Sequence, residues 1–246
     1  MKEIDLNTFP RKAHFEYFKD LSYPHFNVCA NVDITKFYHF IKQRNKPFFL
    51  SFVYVATKIA NDIPEFRYRI RDDKIIEHDI VNPSFTIMTS KDVFSFYNAE
   101  FIDEFYRFVE FTIANIELHK DEVKIEDEPG TDDTLYITSL PWISFTSVTH
   151  PIEMNPVDSV PRITWGKYFK EGDKLLLPLS VQGHHALIDG VHVGRYFEKM
   201  QDFLNDPLKY IPNPKQENKE DEYDTRIFRN DLNNRYRKQT NQFKNY

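Results

Sequence analysis

The 246-residue chain is poor in glycine, with 6 residues, and holds a single cysteine, Cys29. One thiol forms no intrachain disulfide framework and builds no cysteine-rich zinc site. Neither a GxGxxG nor a P-loop pattern occurs, which argues against dinucleotide and Walker-type phosphate binding. Apolar runs such as Phe48 to Ala56 fall far short of the ~20 residues that span a membrane. Basic excess is missing too: 32 Lys plus Arg stand against 38 Asp plus Glu, a formal charge of −6. Nothing here neutralises a phosphate backbone, so nucleic acid is not an expected partner. The opening MKEIDLNTF lacks the apolar stretch of a secretory signal. These absences lead to the expectation of a soluble cytoplasmic protein with no membrane partner.

What is present is apolar and aromatic. Hydrophobic residues make up 41% and charged residues 28%, a globular composition long enough to bury a sizeable core. Phe and Tyr number 23 and 14, and their rings read first as core filler. Residues 8–20 read as a short amphipathic helix and 27–33 as a strand. Asp33-Ile34-Thr35 opens a helix with Phe37, Phe40 and Ile41 on one face, and 48–63 is apolar nearly all round, a buried helix. Arg67–Ile70 and Lys74–Glu77 flank the turn Arg71-Asp72-Asp73 as a hairpin, and Phe85–Thr89 is a further short strand. Helical spacing recurs over 100–119, from Phe101 to Ile113, and an acidic loop follows over 120–134. Then Leu135–Thr138, Ile143–Val148, Ile163–Phe169 and Leu175–Val181 read as strands, and Val191–Asn205 as the last helix. The expected class is α/β (α+β): a two-layer sandwich of a mixed sheet packed against helices, over residues 1–212. Residues 213–246 read as a charged tail, mobile or docking one helix through Phe228, Leu232 and Tyr236.

The segment Leu175–Val193, LLLPLSVQGHHALIDGVHV, carries the chemistry. A buried strand ends in His184-His185, a tight turn holds Asp189-Gly190, and a helix begins. Imidazole titrates near neutrality and suits proton transfer to and from a hydroxyl, and a strand end holds such a base rigidly. Asp189 can hold the turn by pairing with a cation, and Gly190 supplies a backbone freedom or close approach. His184, His185, Asp189 and His192 also allow a metal reading, but successive strand residues point to opposite faces, which disfavours convergence on one ion. No metal is expected.

HHALIDG resembles the HHxxxDG signature of CoA-dependent acyltransferases, and the surrounding blocks resemble the trimeric chloramphenicol acetyltransferase family. These blocks are RKAHFEYF at 11–18, NVDIT at 31–35, EFRYRIRDDKII at 65–76, ITSLPWISF at 137–145, WGKYFKEGDKLLLPLSVQ at 165–182 and HHALIDGVHVGRYF at 184–197. The resemblance implies acetyl-CoA as co-substrate, a small hydroxyl-bearing acceptor, and a homotrimer with its sites between subunits. It implies His185 as general base, Thr138 (a serine in the family) as donor to the tetrahedral oxyanion, and Thr164 as holder of an ordered water. It further implies a structural Asp189–Arg11 pair orienting the histidine, and Trp142, Lys167 and Tyr168 near CoA. The acceptor pocket would be lined by Ser22, Pro24, Val148, His150 and Arg162, where the family is largely apolar. Arg162 must therefore pair with an acid such as Glu153 or Asp158, or the acceptor must be polar or anionic. A proline-glycine loop motif is altered, to Glu128-Pro129-Gly130. Acetylation of chloramphenicol, an antibiotic-resistance activity, is the leading function. The alternatives are the same transfer to a more polar alcohol, a 2-oxo acid dehydrogenase acyltransferase core, and a non-catalytic binder.

Overall fold

The computed structural model describes residues 1–89, 93–119, 123–125 and 131–213. The Glu128-Pro129-Gly130 loop and the Phe228–Tyr236 segment lie outside the described residues. Two compact units divide the chain, Met1–Pro207 and Leu208–Tyr246. The second is described only as far as residue 213, its first residues completing a short helix that starts at Pro207.

Along the chain the order is β1 (Lys2–Ile4), α1 (Lys12–Phe18), β2 (His25–Asp33), α2 (Thr35–Gln43), α3 (Phe48–Asn61), a 3-10 turn (Pro64–Arg67), β3 (Tyr68–Arg71) and β4 (Lys74–Glu77). There follow β5 (Asn82–Met88), β6 (Phe94–Asn98), α4 (Phe105–His119), β7 (Thr134–Leu140), β8 (Arg162–Gly166), β9 (Phe169–Glu171), β10 (Lys174–His184), α5 (Gly190–Asn205) and α6 (Pro207–Tyr210). The main sheet runs β2-β10-β8-β7-β5-β6, with β9 pairing on β10. Strands β5, β7 and β8 are parallel and the other pairs antiparallel. A small sheet, β1-β4-β3, stands apart. This is the mixed sheet with helices expected above.

The strand alternation builds the two faces. Phe85, Ile137, Ile163 and Val181 are level across four strands and fully buried, as are Trp165 and Leu179 in the next such row. Trp165 meets Phe52 and Phe49 of α3 at ring separations of 4.8 and 5.7 Å, so the abundant phenylalanines do fill the core. Helix α3 is buried on nearly every side, as its composition requires. The opposite face of the sheet is polar, with rows Tyr136–Arg162–Gln182–Asn27 and Thr138–Thr164–Ser180–Cys29. The small sheet is tied in by Arg69, fully buried, whose guanidinium donates to the carbonyls of Phe66, Tyr68, Asp132 and Thr134.

Some local expectations fail for physical reasons. Ile143–Val148 is not a strand: β7 has both edges occupied by β5 and β8, so the returning chain lies as irregular backbone over the polar face. There Asn27 Nδ2 donates to Val148 O at 2.8 Å. Ile163–Phe169 is two strands, broken after Gly166, where Lys167 N donates to Ile143 O at 2.7 Å instead of to a ladder. Phe101 precedes α4, whose first turn is capped by Glu104 through the N–H groups of Tyr106 and Arg107. Strands β1 and β6 are short additions at sheet edges that the pattern did not signal.

Gly166 is required by this break, since a β-carbon there would sit 2.7 Å from the backbone oxygen of Ile143. Gly166→Ala is expected to destabilise the fold by about 1–3 kcal/mol, read as a lower midpoint in urea with an unchanged slope.

Candidate active site

His184 and His185 separate as neighbouring strand residues must. His184 looks onto the polar face, 1% exposed, where its ring meets His25 at 5.1 Å. Its Nδ1 accepts the N–H of Ala186 at 3.2 Å, which starts the turn. Burial, with His25 and His185 beside it, pushes the His184 ring down to about 3. It is a neutral structural histidine, unsuited to proton exchange near neutrality.

His185 points to the other side, between Phe18 of α1 (4.0 Å, stacked) and Phe26 of β2 (4.7 Å). Its backbone is held at both ends: its N–H donates to Pro24 O at 2.8 Å, and its carbonyl accepts from Arg11 Nη2 at 3.1 Å. The ring's Nδ1 is buried with no hydrogen-bond partner among the described residues, whereas Nε2 is neither bonded nor fully buried. Of the two ring nitrogens, Nε2 is thus the one open to the surface.

Arg11 does more than pair with Asp189. Its Nη1 also donates to the carbonyls of Leu187 (2.6 Å) and Ala186 (3.3 Å), so one guanidinium gathers three successive carbonyls of the turn. Asp189 Oδ2 stands 3.6 Å from Arg11 Nη2, an ion pair longer than a hydrogen bond. The closer contact of this carboxylate is Oδ1 accepting Val191 N–H at 3.0 Å, which caps α5 and, ahead of Arg11, holds the carboxyl below its ordinary range. Gly190 has no left-handed backbone and open space around it, so the expected need for glycine is not met there. In this segment the tightly packed glycine is Gly183, where a β-carbon would lie 2.9 Å from the Ile188 side chain.

The remaining expected residues gather elsewhere. Thr138 and Thr164 are paired across β7 and β8. The Thr138 hydroxyl makes no hydrogen bond among the described residues, and Thr164 Oγ1 lies 2.8 Å from His150 Nε2. Burial and then Arg162 lower the His150 ring, keeping it neutral. Arg162, 9% exposed, is neutralised by a direct bond to Asp158, donates to Val160 O at 3.0 Å and lies over the Tyr136 ring. Of the two acids named in advance, Asp158 is therefore the partner. Trp142 (54% exposed), Lys167 and Tyr168 stand at the end of β7 and β8 nearest Thr138, and Tyr168 packs on Tyr38. Of the expected acceptor pocket, Pro24 touches His185, Val148, His150 and Arg162 lie over the polar face, and Ser22 is exposed.

One chain does not join these two groups. His185 is five residues past Ser180, which is level with Thr164 and, one strand further, Thr138. That separation is about 16 Å along the strand and about 10 Å across it, and the side chains leave opposite faces. Sequence reasoning missed the supports of the histidine, Phe18 and Phe26, and the His25–Asp158 contact, in which His25 Nε2 donates to Asp158 O at 2.7 Å. Isolated aromatics carry no signal of which ring they will face. Among the described residues no group of three or more His, Cys, Asp or Glu is placed to hold a metal, and no helix is long and apolar enough to cross a membrane.

A family model described as chloramphenicol acetyltransferase matches residues 1–201. Chloramphenicol acetyltransferase 3 of Escherichia coli is 31% identical over 209 residues, covering 84% of this chain and 98% of that protein. The chloramphenicol acetyltransferase of Bacillus pumilus is 31% identical over 216 residues, again with 84% and 98% covered. A solved chloramphenicol acetyltransferase aligns with a TM-score of 0.74 at 24% identity, over 82% of this chain and 100% of that one. The dihydrolipoamide acetyltransferase of Azotobacter vinelandii aligns at 0.61 and 17%, over 80% and 88%; at such identities the structural likeness speaks for the fold alone.

Two predictions arise from the turn. Arg11→Ala removes the donors of three carbonyls and is expected to destabilise by about 1.5–3 kcal/mol. Asp189→Asn keeps the helix cap and should cost less than about 1 kcal/mol; urea midpoints of both variants decide the order. The second concerns pH. His184, His25, His150 and His192 are all lowered by burial. The unfolded chain therefore binds protons first, and the stability held above pH ~6.5 is lost as pH falls, at up to roughly 1.4 kcal/mol per unit for His184 down to its folded value. Melting temperatures from pH 7.5 to 5 should fall steadily.

Proposed function

The chain belongs to the chloramphenicol acetyltransferase family, and from that premise we propose an acetyl transfer from acetyl-CoA to a hydroxyl of chloramphenicol, with His185 as the base. His185 Nε2 takes the acceptor's hydroxyl proton as the oxygen attacks the acetyl carbonyl. The tetrahedral oxyanion that forms needs a donor, and the unengaged Thr138 hydroxyl supplies one. Collapse breaks the carbon–sulfur bond; the CoA thiolate leaves, the imidazolium returns its proton to it, and the products are the acetyl ester and free CoA. Trp142, Lys167 and Tyr168 would hold the CoA, and Thr164 with His150 would orient polar groups beside the oxyanion. Because Arg162 is paired with Asp158, the pocket requires no anionic acceptor.

What supports this reading is the division between a pinned His185, its Nε2 open, at one end of the sheet and Thr138, Trp142, Lys167 and Tyr168 at the other. A second copy of the chain must bring the halves together, and we take the assembly to be a homotrimer with its sites between subunits.

Thiol release from acetyl-CoA should appear with chloramphenicol at roughly 1–10³ per second. His185→Ala should lower it at least ~10²-fold and Thr138→Ala about 10²–10³-fold. Coexpression of the two variants should restore activity in mixed oligomers, because some sites then combine an intact histidine with an intact threonine. No recovery would place both residues in one chain's site. Release with other alcohols but not with chloramphenicol would overturn the acceptor.

A further inference from the structure

His192 lies in the first turn of α5, 4% exposed, and takes no part in the transfer described above. Its Nδ1 accepts the backbone N–H of Asp189 at 3.0 Å, and its Nε2 stands 3.3 Å from Oε1 of Glu65, in the 3-10 turn before β3. A backbone N–H only donates, so Nδ1 must carry a lone pair and the proton must sit on Nε2, directed at Glu65. This is a reciprocal helix cap in which a histidine replaces the usual Glu or Gln at the third helical position. The substitution matters because an imidazolium has no acceptor, whereas Glu and Gln keep theirs. From the cap the contacts continue without a gap: Asp189 caps α5 and faces Arg11, and Arg11 holds the carbonyls of His185, Ala186 and Leu187.

We propose that neutral His192 is the positioning residue of the catalytic turn: it fixes the N-cap of α5, and with it the direction of the His185 ring, and it releases both on protonation. The inference rests on reading His185 as the base. The charged groups facing His192 are Glu65, Arg11, Asp189 and Arg195; Glu65 and Asp189 favour its protonation, while burial, Arg11 and Arg195 oppose it.

The test compares wild type, His192→Asn and His192→Leu as full chains, with His185→Ala alongside. Asn can keep an acceptor near the Asp189 N–H, and Leu cannot. His192→Asn should hold kcat within about threefold of wild type, and His192→Leu should lose at least about tenfold in kcat, as expected for a displaced reacting group. The KM for acetyl-CoA should stay nearly constant, since on the proposed reading CoA is held by Trp142, Lys167 and Tyr168, none of which touches the His192 cap. An equal kcat in wild type and His192→Leu, or an Asn variant no better than Leu, overturns the proposal. Should the Leu variant not fold, pH profiles of wild type and His192→Asn decide. Two protonations disable the wild type and one disables the Asn variant, so the wild-type acid limb of log kcat should be the steeper. Superimposable limbs overturn the proposal. Failure of the underlying reading looks different: His185→Ala would itself remain active.

Discussion

The guanidinium of Arg11 is the interaction on which the geometry of the site rests. It sits at the start of α1 and reaches the turn after β10, where it donates to three carbonyls in succession. The other end of the same short helix supplies Phe18, stacked on the His185 ring, and Phe15 between them is buried and anchors the helix. One short helix and its N-cap residue thus hold both the backbone and the ring of the histidine. Arginine suits this role because its charge does not titrate in the working range and its fork spans adjacent acceptors. The Asp189 carboxylate adds a weaker attraction and a stronger duty as a helix cap.

The second constraint is the period of two along a strand. It sends His184 to the polar face and His185 away from it, so the signature's two histidines differ completely in environment although they are adjacent. It also gives the sheet one apolar face for the helices and one hydroxyl- and amide-rich face, which segment 141–161 covers. On the proposed reading the polar row Thr138–Thr164 and the histidine meet only when a second chain is present. Activity then depends on assembly in the way that a buried contact depends on folding.

Much of this architecture was legible in the residues, and the losses have a common cause. Helices α2, α3 and α5 declared themselves through apolar spacing that a single helix can satisfy, and the Arg71-Asp72-Asp73 hairpin through its turn, where Asp72 and Asp73 take positive φ. Strands β1, β6 and β9 did not, because a segment of three to five residues becomes a strand through the edge it meets. Ile143–Val148 has the composition of a strand, but β7, the strand it follows, is paired on both sides and offers it no edge. Arg162 showed in advance that it needed either a nearby acid or a polar or anionic acceptor, and the structure pairs it with Asp158, close along the chain. The roles of Phe18, Phe26 and Glu65 could not be read, because each acts on a residue distant in sequence.

By itself, the sequence determined the main helices and the longer strands, the mixed α/β class, the histidine turn and the family, since these follow from local spacing and from ordered motifs. The tertiary structure alone decided which histidine is buried and neutral, which acid neutralises Arg162, and that Arg11 binds carbonyls before it binds Asp189. It also decided that His185 and Thr138 stand at opposite ends of one sheet. These outcomes depend on strand register and on long-range packing, which bring together residues that no local pattern relates.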